Sequence, residues 1–338
     1  MTALPAAVEA RIPLVVFAGE SPVSKGWYNQ EIDQAPFVKA CGADYISVNW
    51  PQRMPTAVRD AFLQARRERR PVVIGLPFDL QDTPWEGPAE LPKPSHELAY
   101  DDTSMPPNPA AVAKAAELIQ ASDKIVVMGG IWAKGASQAC RALAEKLDGL
   151  LGTSLPGRGL FYDDPFNLSI LGGFASDMAR DCCAEADLII AVGCSLAQHN
   201  SDSGKMWPKA KVLQIDTQPS AISQGREAAD MVVRADAKLG VEALIEAVEA
   251  RSAVWRTQAL ADKIASTPAD SYAYPEIEGQ HDPRDVVAAF DQHLPQDWEL
   301  VNSSGHSSYF TAQMPGRPQD QFFTLREFGA IGNGVSFA

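Results

Sequence analysis

The sequence predicts an α/β protein: a complete central domain with a doubly wound parallel sheet, flanked by two partial α/β pieces. Three apolar runs predict it. Asp123-Lys-Ile-Val-Val-Met-Gly-Gly130 ends in paired glycines, Ala186-Asp-Leu-Ile-Ile-Ala-Val-Gly193 in one, and Lys211-Val-Leu-Gln-Ile-Asp216 in a carboxylate. Each is short, rich in β-branched residues and bounded by Gly or Asp, with helix-like segments between, as parallel strands joined by crossovers are. Strands covered on both faces are apolar throughout rather than alternating. Ligands of such open sheets sit beyond the carboxyl ends of the strands.

In chain order, residues 1–10 read as the tail of a helix and Arg11 to Gly19 as a buried strand. A polar loop, a helix over Ala35 to Cys41 and a strand over Asp44 to Val48 follow. Arg53 to Glu68 has a helical period, with Ala57, Val58, Ala61 and Phe62 on one face. Pro71 to Pro77 is a second parallel-type strand. Residues 82–107 are rich in Pro, Asp and Glu and read as a linker. The central domain, 108–250, is Rossmann-like. It opens with a helix over Pro109 to Ala121 and continues through a helix over Lys134 to Leu147 and a strand-like crossover at Gly152 to Pro156. A loop over Gly157 to Asn167, a short helix over Ser176 to Glu185 and a polar loop over Ala197 to Trp207 come next. A strand over Ala228 to Val233 and a helix over Ala237 to Ala250 close the domain. Residues 251–280 read as a second polar linker. In 281–338, Asp282 caps a helix with Pro283 in its first turn. Trp298 to Gly305 is a strand running into a turn, and Phe328-Gly-Ala-Ile-Gly-Asn-Gly334 is a glycine-rich turn.

Composition excludes several classes. The net charge of −14 argues against a nucleic-acid or anionic-membrane surface, which needs clustered Lys and Arg. The basic cluster Arg66-Arg67-Glu-Arg69-Arg70 reads as a solvated helix end. Five cysteines without a C-x-x-C pair point to reduced thiols in a cytoplasmic protein, not to a zinc site. No run is long enough for a membrane span, and Glu9 and Arg11 interrupt any signal-peptide core.

The order of these pieces resembles the thiamine-diphosphate-dependent enzymes of the acetolactate synthase, benzoylformate decarboxylase and pyruvate decarboxylase type. The resemblance implies that residues 1–81 are the C-terminal part of a pyrimidine-binding domain, 108–250 the whole central domain, and 281–338 the start of a diphosphate-binding domain. The Ala186 to Gly193 run and the turn Gln214-Ile-Asp-Thr-Gln-Pro219 carry it most directly. It implies thiamine diphosphate and Mg²⁺ as cofactors, a 2-oxo acid substrate, lyase or transferase chemistry, and a homodimer or homotetramer. Two departures stand against it: the family's activating glutamate would lie upstream of these residues, and no Gly-Asp-Gly metal motif occurs in the sequence. The chain is therefore expected to be a fragment, inactive alone, with no metal ligand of its own.

The resemblance also assigns residues. Gly305, His306, Ser307 and Ser308 match a diphosphate-contacting turn, where N–H groups and hydroxyls meet an anion; an ordinary Ser-capped helix start is the plainer reading. Gly329, Ala330 and Ile331 match the Gly-x-Met-Gly turn, with Ile331 as the apolar wedge under the cofactor; a turn packing on core is the plainer reading. Gln30, beside Glu31, matches a catalytic Gln that reaches the partner subunit's site, or else begins a solvated helix. His199 and His96 read as surface histidines. Gly129, Gly130 and Gly135 do not make a G-x-G-x-x-G fingerprint. Asp216 either reaches the ribose of a bound FAD or caps a helix. Two rival functions stay open: nucleotide-dependent redox chemistry on the central sheet, and a non-catalytic partner subunit.

Overall fold

The computed structural model describes all residues except 1, 99–103, 220–221, 224–225, 228, 313, 315, 325–326, 330, 333 and 338. It divides into two units, Met1–Thr103 with Leu325–Ile331, and Ser104–Thr324 with Gly332–Ala338.

The first unit runs α1 (Ala3–Glu9), β1 (Val15–Glu20), α2 (Gln34–Ala40), β2 (Asp44–Ser47), α3 (Met54–Glu68) and β3 (Val72–Pro77). Its three strands are parallel in the order β1-β3-β2. The central strand β3 is accordingly the most apolar. Ala57, Ala61 and Ala65, one helical turn apart, bring α3 close against Val72 and Ile74. Val73 points the other way, onto Val38 and Ala43. The strand expected from Arg11 begins only at Val15, after Arg11 itself turns through a left-handed φ of 54° and Pro13 withholds a donor. The basic residues Arg66 and Arg67 lie in the last turn of α3, which Arg69 closes at φ 49°, so this cluster is a helix end.

Gly75 in β3 lets the two outer strands meet across the central one. A Cβ there would lie 2.2 Å from the Tyr45 hydroxyl and 2.5 Å from the Glu20 carboxyl carbon. Through that gap Tyr45 Oη donates to Glu20 Oε1 at 2.5 Å and Ser47 Oγ donates to Glu20 Oε2 at 2.9 Å. Burial and the Glu20 carboxylate push the Tyr45 phenol well above its ordinary range.

In the second unit, β4 (Ile125–Gly129), β5 (Leu150–Thr153), β6 (Asn167–Ile170), β7 (Leu188–Val192), β8 (Lys211–Asp216) and β9 (Met231–Arg234) form one parallel sheet. The order is β9-β8-β7-β4-β5-β6. The chain builds outward from β4 to β6, returns, and builds β7 to β9 on the other side. This is the doubly wound arrangement expected, with its switch point between β4 and β7. Helices α4 (Pro109–Gln120), α5 (Ser137–Lys146) and α7 (Ala237–Ala247) cover one face, on Ile125, Val127, Ile190 and Leu213. Helix α6 (Asp177–Glu185) covers the other, on Val126, Met128 and Ile189. Alternate residues of each strand feed opposite cores, which is why these runs show no polar alternation.

Three local expectations are corrected. The crossover strand is Leu150–Thr153 rather than Gly152 to Pro156, because Leu150 and Leu151 fill the interior while Pro156 enters a tight turn. The loop after Gly157 ends in β6, a short edge strand in which only Leu168 and Ile170 are buried. The stretch 251–280 holds a helix, α8 (Gln258–Ser266), with Ala261 buried and Leu260 and Ile264 packed on the second core. Its apolar face spans little more than one turn, too short for a clear period.

All five cysteines are free thiols, and four of them are buried. Among the described residues no helix is long and apolar enough to cross a membrane.

Candidate functional site

The last part of the second unit begins with α9 (Pro283–His293), whose Asp282 cap accepts the Arg284 N–H at 2.8 Å. Strand β10 (Leu300–Asn302) pairs in parallel with β11 (Phe322–Thr324), and α10 (His306–Ala312) lies between them in the chain. Arg158, buried at the central domain's β5 turn, donates through Nε to the Ala312 carbonyl at 2.6 Å, and its guanidinium stacks on Phe322 at 4.1 Å. A cation at a helix carboxyl end is favourable both as donor and as charge. Gly159 makes the approach possible: it adopts φ 83°, and a Cβ there would meet Gln319 N at 2.6 Å. So α10 is held from its far end by the central domain, and its first turn faces outward.

That first turn is the predicted diphosphate turn. Gly305 has φ 109°, outside the range of most other residues. Gly305, His306 and Ser307 are exposed. Ser308 differs: it is buried, and its hydroxyl donates to the Gly305 carbonyl at 2.8 Å. That hydroxyl proton closes the turn, leaving His306 and Ser307 as the outward donors. At the same strand end the Gly332 N–H donates to Ser303 Oγ at 2.9 Å.

In the other unit, Phe328 and Gly329 take φ values of 63° and 62°. Nothing lies within 4 Å of a Cβ built at Gly329. Ile331 is 76% exposed, so it is not core. Ala330 lies outside the described residues. Gln30 is exposed in a turn where Glu31 N–H donates to the Tyr28 carbonyl at 3.0 Å, not at a helix start. His199 and His96 are exposed.

The switch point is packed shut by backbone. A Cβ at Gly130 would meet the Gly193 carbonyl at 2.0 Å, and one at Gly193 would meet Trp132 backbone at 2.6 Å. Gly130 N–H donates to the Val192 carbonyl at 2.8 Å and Trp132 N–H to the Gly193 carbonyl at 3.2 Å. Both of those donors are engaged within the domain. Asp216 Oδ1 accepts the Gln218 N–H at 2.8 Å, an Asx turn at the end of β8.

Residues 112–244 match the family model described as thiamine pyrophosphate enzyme, central domain. An acetolactate synthase large subunit from Parasynechococcus marenigrum is 28% identical over 345 residues, covering 97% of this chain and 54% of that protein. A probable acetolactate synthase large subunit from Methanocaldococcus jannaschii is 30% identical over 247 residues, 70% of this chain and 41% of that protein. The central domain belongs to the thiamine pyrophosphate enzyme family. The chain spans about half the length of the curated relatives it matches. The crystal structure of a benzoylformate decarboxylase from Polynucleobacter necessarius shares the fold, with a TM-score of 0.77 at 18% identity over 97% of this chain and 60% of that one.

Against this thiamine pyrophosphate enzyme family, the two cofactor groups fare differently. An exposed turn with a left-handed glycine and outward His306 and Ser307 fits a diphosphate. For magnesium, among the described residues no three His, Cys, Asp or Glu side chains gather at one place. The feature that sequence reasoning missed is Arg158, a lone arginine in a Gly-Arg-Gly loop, whose role exists only through residues more than a hundred positions away.

Proposed function

We propose that this protein takes part in thiamine-diphosphate-dependent making or breaking of a carbon–carbon bond beside the carbonyl of a 2-oxo acid, in the manner of an acetolactate synthase. The observation that carries the reading is the likeness to an acetolactate synthase large subunit along 97% of the chain. Bound thiamine diphosphate supplies the carbanion chemistry; the protein supplies binding, orientation and electrostatics. In this reading His306 and Ser307 donate to the diphosphate from the turn that Gly305 opens and Ser308 closes. Ser303 holds Gly332 at the end of β10. Ile331, left in solvent, wedges under the cofactor, while Gly329 and Ala330 offer backbone contacts. Gln30 serves the site of a second copy in a homodimer or homotetramer. The carboxylates for Mg²⁺ and the activating glutamate come from residues other than those described.

The test is to isolate the tagged protein, with whatever it assembles with in its host, and assay 2-oxo acid consumption. Pyruvate should give acetolactate and CO₂ only when thiamine diphosphate and Mg²⁺ are present, and the purified 338-residue chain alone should be inactive. Absence of any thiamine-dependent turnover of pyruvate, 2-oxobutyrate or benzoylformate by the native assembly would overturn the proposal.

A further inference from the structure

The first unit contains a groove that the reading above does not use. Two cavities, of about 510 and 470 Å³, run along α3, and Pro55 and Leu91 line both. The first opens beyond the carboxyl ends of β2 and β3, between Val48, Met54, Leu76 and Trp85. That is the end of a parallel sheet at which ligands bind. Its polar side chains are already engaged: Gln81 Nε2 donates to the Leu76 carbonyl at 3.4 Å, and Thr83 Oγ1 to the Asp79 carbonyl at 3.3 Å. Asp79 in turn accepts the N–H groups of Val23 and Ser24, which fixes this end of the groove.

The second cavity has a different character. Val58 and Phe62 line it together with Arg59 and Arg66. A spacing of seven puts both guanidinium groups on one side of α3, two turns apart. Arg59 is ion-paired with Asp60 at 2.8 Å, and Arg66 is exposed. The roof of the groove is the segment from Trp85 to His96, in which Pro88, Pro92 and Pro94 stiffen the backbone. Trp85 and Leu91 in that roof leave large apolar surface in water. The groove therefore runs from a mainly apolar end, whose few polar side chains are engaged, to a cationic end, over a length of ~18 Å of helix.

We propose that this groove binds an amphipathic anion, an alkyl or arylalkyl carboxylate, with its chain between Leu76 and Trp85 and its carboxylate at Arg59 and Arg66. The volume suits a small ligand held mainly by apolar contact, with few polar groups to orient it. Guanidinium groups give the carboxylate charge-assisted, two-point recognition. A cation would meet two arginines, and a short polar acid would leave the apolar end unfilled.

Decanoate, decylammonium and decanol serve as probes, each below its micellar concentration, followed by calorimetry on the full chain and by indole fluorescence, since Trp85 lines the groove. Decanoate should bind saturably with one site and at least about tenfold more tightly than decylammonium. The double variant Arg59→Gln/Arg66→Gln should weaken decanoate about tenfold and leave decanol unchanged. Leu91→Asp, at an exposed position that leaves folding intact by circular dichroism, should abolish binding of both. The proposal fails if decanoate does not saturate, if decylammonium binds equally well, or if Leu91→Asp and the arginine variants bind decanoate as the parent does.

Discussion

The Asp148 carboxylate accepts the backbone N–H of Arg256 at 2.9 Å, although 108 residues separate them. Its second oxygen accepts the N–H groups of Val254 at 2.7 Å and Trp255 at 2.5 Å. One buried side chain thus satisfies three successive backbone donors of a stretch that reads as linker. Asp148 itself sits at φ 54°, a conformation that Asp tolerates better than most residues.

Asp148→Ala is therefore expected to destabilise the protein by about 1–3 kcal/mol, because three partly buried backbone N–H groups would lose their acceptor. Asp148→Asn, which keeps one acceptor, should cost less. Urea unfolding of both variants checks this, and equal midpoints for Asp148→Ala and the parent would count against the clamp.

Arg317 is fully buried and caps α9 from outside. Its guanidinium donates to the carbonyls of Leu294 at 3.2 Å, Pro295 at 3.0 Å and Trp298 at 3.2 Å, with Asp291 Oδ1 at 4.0 Å from Nε. Arg317→Met should cost about 3–5 kcal/mol, since it strands a carboxylate and three carbonyls. Arg317→Lys should recover little of that, because a single ammonium cannot span a planar fork. Chemical denaturation of both variants tests the claim.

Burial raises the thiol pKa of Cys140 to about 12, and of Cys182 and Cys194 to about 11, from an ordinary 9.0. For a group whose folded pKa is raised, its contribution is complete below the unfolded pKa and lost as pH climbs through the folded one. Stability should hold up to pH ~9 and fall progressively between there and ~12. At pH ~8, iodoacetamide should label the half-buried Cys41 first, as peptide mapping would show. Early labelling of Cys140 would mean that its pocket opens readily.

Ile331 is exposed, so Ile331→Ala should change stability by less than about 0.5 kcal/mol. In the assembled enzyme it should nevertheless lower thiamine-dependent turnover. An unchanged melt with reduced turnover supports the wedge; a lowered melt would place Ile331 in a core.

The central sheet was legible because parallel strands buried on both faces are apolar throughout. Ile125 to Gly129, Leu188 to Val192 and Lys211 to Asp216 announce themselves without any knowledge of their neighbours. The cap at Asp282 was equally local, and Asn108, Ser176 and Asp236, found as caps only in the structure, bond an N–H two or three residues ahead in the same way. The turn at Gly305 was legible for the same reason: a left-handed glycine and its Ser308 partner lie within four residues. What lay beyond the sequence is what depends on pairing across long intervals. Nothing local distinguishes Asp148 as a clamp, Arg158 as the anchor of α10, or Gly75 as the gap through which Tyr45 reaches Glu20. Strand β6 and helix α8 have too few apolar positions to show a period, and become regular only because the existing core offers a surface to pack on. The groove along α3 needs residues 48 to 96 brought together before its apolar and cationic ends exist. Hydrophobic period and capping chemistry act within a few residues and are written in sequence, whereas register, long-range hydrogen bonds and cavities arise only when chain closure sets distant segments side by side.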